Sequence, residues 1–457
     1  MASDSYDCIV IGSGPGGYVT AIRAAQLGMK TAVVESDVVG GRCLNYACIP
    51  AKAVLRVADI LSEVDEAAEF GIDVPSRTVD FGRVAERREK VIKTLTGGVS
   101  GLLEKNAITY LEGEASLAGG RSVRVGATEL EATKCIVLAT GSVPLPIPGT
   151  EFGGRVIGTE DAWAFDELPG SLAVVGAGAS GAEIASAYAR LGSEVSLFEA
   201  VDRVLPLEDA DISKAAGRAL SKQGIKIYTG TLVRDVQTEG EKVTFTHNGE
   251  PAEADWLVIA AGRGPDVAAL DLDGAGVKVG ERGLIEVDAR MRTSADGIYA
   301  IGDLVPGPAL AHKASDEGVI AVEDAAGLDT HPITHVDIPR ATFCTPNVSS
   351  FGLTERQARD EGYDVVVGKV QYGAVGAGTV YGDRQGIIKI VGEKKYGELL
   401  GGHIVGAKAT ELIQELVNVR ALEGGFAEVA RIVHGHPTLA EGVMEAARAA
   451  DGWLIHG

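Results

Sequence analysis

No uninterrupted apolar run approaches the ~20 residues a helix needs to cross a bilayer, so no membrane span is expected. Positive charge is also short: 42 Lys and Arg stand against 64 Asp and Glu, a formal net charge of −22. Such a field disfavours nucleic acid or an anionic membrane surface as partner and permits a basic protein. Cysteine is scarce. The five present (Cys8, Cys43, Cys48, Cys135 and Cys344) are too few and too scattered for a disulfide framework. The N-terminal Met1-Ala2-Ser3-Asp4-Ser5-Tyr6-Asp7 is acidic and lacks the basic-then-apolar order of a signal peptide. A soluble, cytoplasmic chain is the expectation.

Glycine, by contrast, is abundant. With 61 glycines and 46% hydrophobic residues, the composition suits a large α/β protein with many tight strand–helix turns. A length of 457 residues suggests about three domains.

The pattern strand, Gly-x-Gly-x-x-Gly, helix, strand, acid occurs twice. The first copy runs from Asp7-Cys8-Ile9-Val10-Ile11 through Gly12, Gly14 and Gly17 to Thr31-Ala32-Val33-Val34 and Glu35. The second runs from Leu172-Ala173-Val174-Val175 through Gly176, Gly178 and Gly181 to Val195-Ser196-Leu197-Phe198 and Glu199. In both, the acid lies 23 positions after the first glycine (12 to 35, 176 to 199). The glycines permit a tight turn and close approach of backbone to a pyrophosphate on the helix N-terminus, and the acid accepts from a ribose diol. Each copy has a later related strand-turn, Ile136-Val137-Leu138-Ala139-Thr140-Gly141 and Leu257-Val258-Ile259-Ala260-Ala261-Gly262. Two dinucleotide folds in one chain imply two dinucleotides, and electron transfer between a flavin and a nicotinamide is the economical reading. Glu199 would bond a free 2′-hydroxyl and repel a 2′-phosphate, which favours NAD over NADP.

Between Glu35 and the second copy lies Gly40-Gly41-Arg42-Cys43-Leu44-Asn45-Tyr46-Ala47-Cys48-Ile49-Pro50-Ala51-Lys52. In a regular helix, residues five apart sit roughly 8–9 Å apart at Cα, beyond the ~7 Å limit for a disulfide. A bridge between Cys43 and Cys48 therefore requires a distorted turn. A helix N-terminus would also stabilise a thiolate there. Two buried structural thiols are the plainer alternative. Zinc lacks a second close pair of ligands.

Elsewhere, residues 50–110 carry helical patterns, and 110–135 read as short strands with glycine turns. Pro144, Pro146 and Pro148 mark a linker. Residues 283–287 and 297–303 read as strands, the latter ending at Asp303, a carboxylate that suits a ribityl or ribose hydroxyl or simply a Gly-Asp turn. Beyond about residue 340, strands near 365–370, 386–391 and 402–405 give an α+β module without a nucleotide signature. It closes on Val433-His434-Gly435-His436-Pro437-Thr438-Leu439-Ala440-Glu441. Pro437 suits the first position of a helix, which puts His436 at its start and Glu441 one turn in. An imidazole held by a carboxylate serves as an acid–base group; a capping histidine beside a solvated glutamate is the bland reading.

These pieces together resemble the pyridine nucleotide–disulfide oxidoreductase family, and within it the flavoprotein component of 2-oxo acid dehydrogenase complexes. The likeness rests on residues 40–52, on 297–303 followed by Leu310-Ala311-His312-Lys313-Ala314, on Phe343-Cys344-Thr345-Pro346-Asn347-Val348, and on 434–441. It implies an α/β fold with two Rossmann-like domains, for FAD (1–150) and NAD (151–272). A central segment (273–340) would complete the FAD site, and a C-terminal α+β domain (341–457) would dimerise. By position, the resemblance makes Cys43 and Cys48 the redox disulfide, with Cys43 exchanging with substrate and Cys48 against the flavin. Lys52 would sit near the flavin and pair with Glu183. Glu35, Gly41, Ala115, Thr140, Gly141, Asp303 and Ala311 would line FAD; Gly176, Gly178, Gly181, Glu199, Val233, Gly262 and Arg263 would line NAD. His436, oriented by Glu441, would be the base, reaching the disulfide of the other subunit of a homodimer. The implied reaction oxidises dihydrolipoamide carried by the acyltransferase of such a complex, with NAD+ becoming NADH. This chain has Ala47 and Ala51 where the family carries Gly and Ser, which bears on flavin potential and substrate fit. A related reductase with another thiol substrate, or a redox sensor without turnover, are the competing readings.

Overall fold

The computed structural model describes residues 4–457, so Met1, Ala2 and Ser3 of the acidic N-terminal stretch lie outside the described residues. Two compact units form, each assembled from separated segments. The first takes the chain up to Ala53, then Gly82–Leu145 and Gly262–His335; the second takes Val54–Phe81, Pro146–Ala261 and Val336–Gly457. One boundary falls between Leu145 and Pro146, inside the proline run that reads as a linker.

The first unit is built on a seven-stranded sheet in the order Thr109–Glu112, Thr31–Glu35, Asp4–Ile11, Thr128–Leu138, Ser122–Val125, Ala115–Leu117, with Ile298–Ala300 also joined to Thr128–Leu138. Asp4–Ile11 runs parallel to both its neighbours, as a glycine turn feeding a crossover helix requires. Its side chains alternate between two cores: Ile9 and Ile11 pack with Ile136 and Leu138, while Cys8 and Val10 pack with Cys135 and Val137. A strand buried on both faces reads as a continuous apolar run, and each such Ile, Val or Leu contributes on the order of 1.5–3 kcal/mol. The following helix, Pro15–Gln26, starts with proline in its first turn and stops at Leu27-Gly28, where Gly28 has φ +81°. It lies against the helix Ala311–Ala325 so closely that a Cβ on Gly318 would overlap the Thr20 hydroxyl.

The second unit repeats the scheme. Its five-stranded parallel sheet has the order Lys226–Tyr228, Glu194–Phe198, Ser171–Val175, Trp256–Ile259, Val156–Gly158, beside a three-stranded antiparallel sheet of residues 233–254. The same unit carries the C-terminal module, an antiparallel sheet ordered Arg340–Thr342, Val348–Gly352, Leu399–Val405, Ile387–Glu393, Val365–Gln371. The helices Ala409–Ala421, Phe426–Arg431 and Ala440–Ala450 share its core. Lys389 of this sheet is 2% exposed, and Asp209, Asp211 and Glu355 surround its ammonium at 2.8, 2.9 and 2.8 Å. Burial alone would neutralise it, but three carboxylates hold its pKa above the usual lysine value. Asp209 also caps the helix Ala210–Lys222, so one cation ties the antiparallel sheet to a helix of the nucleotide fold.

Two expectations need correction. Residues 283–287 form no strand; Ile285 makes only an isolated bridge to Val279, because Glu281–Gly283 turns as a 3-10 segment. The last helix begins at Ala440, not Pro437: Glu441 uses a carboxylate oxygen on the Thr438 N–H, and His436 stands on a loop ahead of the helix.

Candidate active site

The redox stretch folds as two helical pieces, Gly41–Asn45 and Cys48–Glu66, separated by Tyr46 and Ala47. This break is the distortion that the five-residue spacing demands. It brings Cys43 and Cys48 to 4.8 Å at Cα, and they are disulfide-bonded. Cys48 opens the longer helix, where free N–H groups and the dipole favour a negative sulfur. Gly40 and Gly41, at φ +89° and +57°, turn the chain into the first piece. Asn45 Nδ2 donates to Val39 and Gly41 carbonyls at 3.0 and 2.9 Å, and Tyr46 donates its hydroxyl to Asp37 Oδ2 at 2.8 Å. Burial and the Asp37 carboxylate push the Tyr46 phenol up to about 12, so it stays protonated. Ala51 is 2% exposed, and no hydroxyl occupies that position.

The first glycine turn lies beside this stretch. Ser13 donates to Glu35 Oε2 twice, from N–H at 2.8 Å and from Oγ at 2.7 Å, and Asp37 N–H takes Oε1 at 3.0 Å. Of roughly four acceptor sites on a carboxylate, one remains for a ribose hydroxyl. A Cβ on Gly12 would overlap the Ala139 carbonyl and one on Gly17 the Gly12 carbonyl, but one on Gly14 would meet nothing within 4 Å. The middle glycine is bare toward open space, as a closely approaching pyrophosphate requires. The second turn matches: Gly176 and Gly181 are pinned by backbone, Gly178 is open, and Glu199 accepts from Ala177 N–H at 2.7 Å and Val201 N–H at 3.1 Å. Both turns therefore fit dinucleotides.

Further residues of the first unit converge on Asp303. Arg263 Nε donates to Ser142 Oγ at 2.8 Å, and that hydroxyl donates to Asp303 Oδ2 at 2.5 Å. Arg263, read from the resemblance as a nicotinamide-nucleotide residue, thus joins a network with Asp303. Gly141 precedes Ser142 at φ +83°, and Thr140 Oγ1 donates to the Asp266 carbonyl at 2.5 Å. Gly302, just before Asp303, is held at both of its backbone polar groups. Gly302 N–H donates to Glu317 Oε2 at 2.8 Å, and Lys313 Nζ donates to the Gly302 carbonyl at 2.9 Å. Lys313 and Glu317 are fully buried and 3.1 Å apart, one helical turn apart on the helix that Ala311 opens. Burial pushes the Glu317 carboxyl up despite the lysine. Ser142 and Glu317 carry no sequence signal; only the fold brings them to Asp303. Ala115 starts a short buried strand of the same sheet.

In the second unit, Val233 opens the antiparallel sheet, and Glu183, 5% exposed, accepts from Phe343 N–H at 2.9 Å. Gly262 follows the strand Trp256–Ile259 and belongs to the first unit, as does Lys52. His436 Nδ1 lies 2.9 Å from Glu441 Oε1, with the imidazole side chain 75% exposed. Burial raises the Glu441 carboxyl, but the Thr438 N–H and His436 outweigh it and hold it below the usual carboxylate range. Among the described residues no group of three or more His, Cys, Asp or Glu is arranged to hold a metal, and no helix is long and apolar enough to cross a membrane.

A bridged cysteine pair at a helix start, two dinucleotide turns and a histidine–glutamate pair define a flavin- and nicotinamide-dependent disulfide oxidoreductase. Family models agree: residues 6–318 match the pyridine nucleotide-disulphide oxidoreductase model and residues 338–447 its dimerisation domain, so the chain belongs to this family. It is an enzyme that uses FAD and NAD. The chain is 40% identical to dihydrolipoyl dehydrogenase of Geobacillus stearothermophilus, across 98% of this chain and 97% of that protein. It is 42% identical to dihydrolipoyl dehydrogenase of Mycobacterium tuberculosis (strain H37Rv), across 99% of each. Among solved structures, LpdA from Mycobacterium tuberculosis superposes with a TM-score of 0.90 at 26% identity, covering 96% of this chain and 99% of that one. The flavoprotein disulfide reductase RclA from Escherichia coli, as a Cu(II) complex, gives 0.87 at 29%, covering 98% and 99%.

Proposed function

We propose that the protein oxidises dihydrolipoyl groups to the cyclic disulfide while NAD+ becomes NADH, serving the acyltransferase of a 2-oxo acid dehydrogenase complex as a cytoplasmic homodimer. The observation that carries this reading is the Cys43–Cys48 bridge with Cys48 at a helix start. A substrate thiolate attacks Cys43 Sγ, the Cys43–Cys48 bond breaks, and Cys48 leaves as a thiolate that the helix N-terminus stabilises. The second substrate sulfur attacks the mixed disulfide, which closes the substrate ring and frees Cys43. Free thiols near pKa 8.5 are mostly protonated at neutral pH, so His436 accepts the proton and Glu441 orients its ring. His436 is mostly exposed within one chain, which supports its service to the disulfide of a partner subunit. The turn at Gly12, Gly14 and Gly17 with Glu35 would hold FAD, which would supply an acceptor for the electron pair of the reduced cysteines. The turn at Gly176, Gly178 and Gly181 with Glu199 would hold NAD+, which would supply the final hydride acceptor.

Residues 1–150 and 273–340 hold FAD in this reading, with Lys52 near the ring; 151–272 holds NAD and 341–457 forms the dimer. Glu199 supports NAD over NADP. Arg203 lies four residues on in the sequence, and its Nη2 donates to the Pro206 carbonyl at 3.2 Å. NADH formation from reduced lipoamide tests the reading: FAD-loaded wild type turns over catalytically, and Cys43→Ser forms no NADH while keeping its FAD. Wild type that binds FAD but forms no NADH would instead be a redox sensor.

A further inference from the structure

The loop ahead of the helix Ala440–Ala450 carries two histidine–carboxylate pairs of opposite design. His436 is exposed, and among the described residues only Glu441 bonds its ring. His434, two residues earlier, has a side chain only 5% exposed, and both its nitrogens face acceptors. Nδ1 lies 2.8 Å from the Ile432 carbonyl, and Nε2 lies 2.7 Å from Glu415 Oε1 on the helix Ala409–Ala421. A carbonyl has no proton to give and neither has an ionised carboxylate, so each nitrogen must carry its own.

Resting on the proposal that His436 is the base, we infer that His434 is its positioning residue: a doubly protonated imidazolium that pins the His436 loop to the helix Ala409–Ala421. The charged groups facing it are Glu415 from that helix and Arg448 from Ala440–Ala450. Glu415 raises the His434 pKa above the ordinary imidazole value, against burial and Arg448, which lower it. A histidine with a raised folded pKa contributes fully below its unfolded value of about 6.5 and loses that contribution as pH rises through the folded value. The loop is therefore held most firmly below about pH 6.5 and loosens as pH rises through the raised value. The two histidines have opposite tasks: His436 accepts a proton in the proposed reaction, and His434 must keep both of its own.

The test compares kcat/KM for reduced lipoamide across pH in the holoenzyme, together with selective 15N-histidine NMR without substrate. Glu415→Gln keeps an oxygen acceptor but removes the charge, so the alkaline limb should move down by roughly one pH unit. In the same variant the His434 ring resonances should titrate earlier. His434→Gln keeps one donor and cannot titrate; it should lower kcat/KM about tenfold or more and lose that limb, whereas a merely structural role lowers the rate evenly at all pH. An alkaline limb unmoved in Glu415→Gln, or a His434 ring with only one protonated nitrogen at pH 7, overturns the inference. His436→Gln separates the two readings. If it turns over like wild type, the base assignment fails, while the NMR still reports the His434–Glu415 pair.

Discussion

The two glycine turns have the same backbone, yet they hold their acids differently. Gly12 and Gly176 share φ +102°, and the third glycine of each is jammed against the carbonyl of the first. In the first copy, however, the second position is Ser13, whose hydroxyl donates to Glu35 and accepts the buried Gly40 N–H at 3.1 Å. In the second copy that position is Ala177, and Glu199 has two backbone donors and a half-buried carboxylate. The first turn is thus wired into the stretch that carries the disulfide, and its acid is nearly saturated. The second has no side-chain hydroxyl in that place, and its acid keeps acceptor capacity to spare. That difference suits a cofactor that stays against one that must enter and leave each cycle.

Blocking each turn in the same way sharpens this comparison most. Gly17→Ala and Gly181→Ala both drive a Cβ into a backbone carbonyl, and overpacking of that kind costs roughly 3 kcal/mol. Thermal melts should fall by similar amounts in both. Flavin absorbance per chain should be lost in Gly17→Ala only, whereas Gly181→Ala should keep its flavin and lose reduction by NADH. If Gly181→Ala sheds flavin instead, the assignment of the two turns is reversed.

Why the turns were legible in the sequence, and other features were not, follows from the range of the contacts. A glycine turn, its strands and its acid lie within one short segment, and backbone sterics dictate the residue types. From spacing the disulfide is legible only as a condition, since a bridge over five residues needs a helix break and the break at Tyr46-Ala47 has no strong composition signal; the family resemblance is what assigns it outright. The Lys313–Glu317 grip on Gly302, the Ser142 relay to Asp303 and the Glu415 partner of His434 are side-chain contacts. Their partners are polar residues of ordinary type in unremarkable helices and loops. The last helix starts later than Pro437 suggests, at Ala440, because proline is compatible with a first turn but does not compel one.

A smaller effect concerns the acids. Glu199→Gln removes the charge that would repel a 2′-phosphate while keeping an oxygen for the Ala177 N–H. The ratio of kcat/KM for NADPH to that for NADH should rise roughly tenfold, a modest gain because Glu199 is partly solvated. Glu35→Gln should leave that ratio unchanged and weaken flavin retention. An unchanged ratio in Glu199→Gln would move nucleotide discrimination elsewhere on the chain.

The finest distinction is the Ser13 hydroxyl. Ser13→Ala strips one donor from Glu35 and leaves the buried Gly40 N–H without its acceptor, a loss of about 1–3 kcal/mol. The loss falls on the strap leading into the Cys43 piece, so the disulfide should be reduced faster by a small dithiol while NADH affinity holds at the wild-type value. If both change together, the two turns are coupled through the fold. If neither changes, the hydroxyl is an ornament and the division between a resident and an exchanging site must come from Glu35 itself.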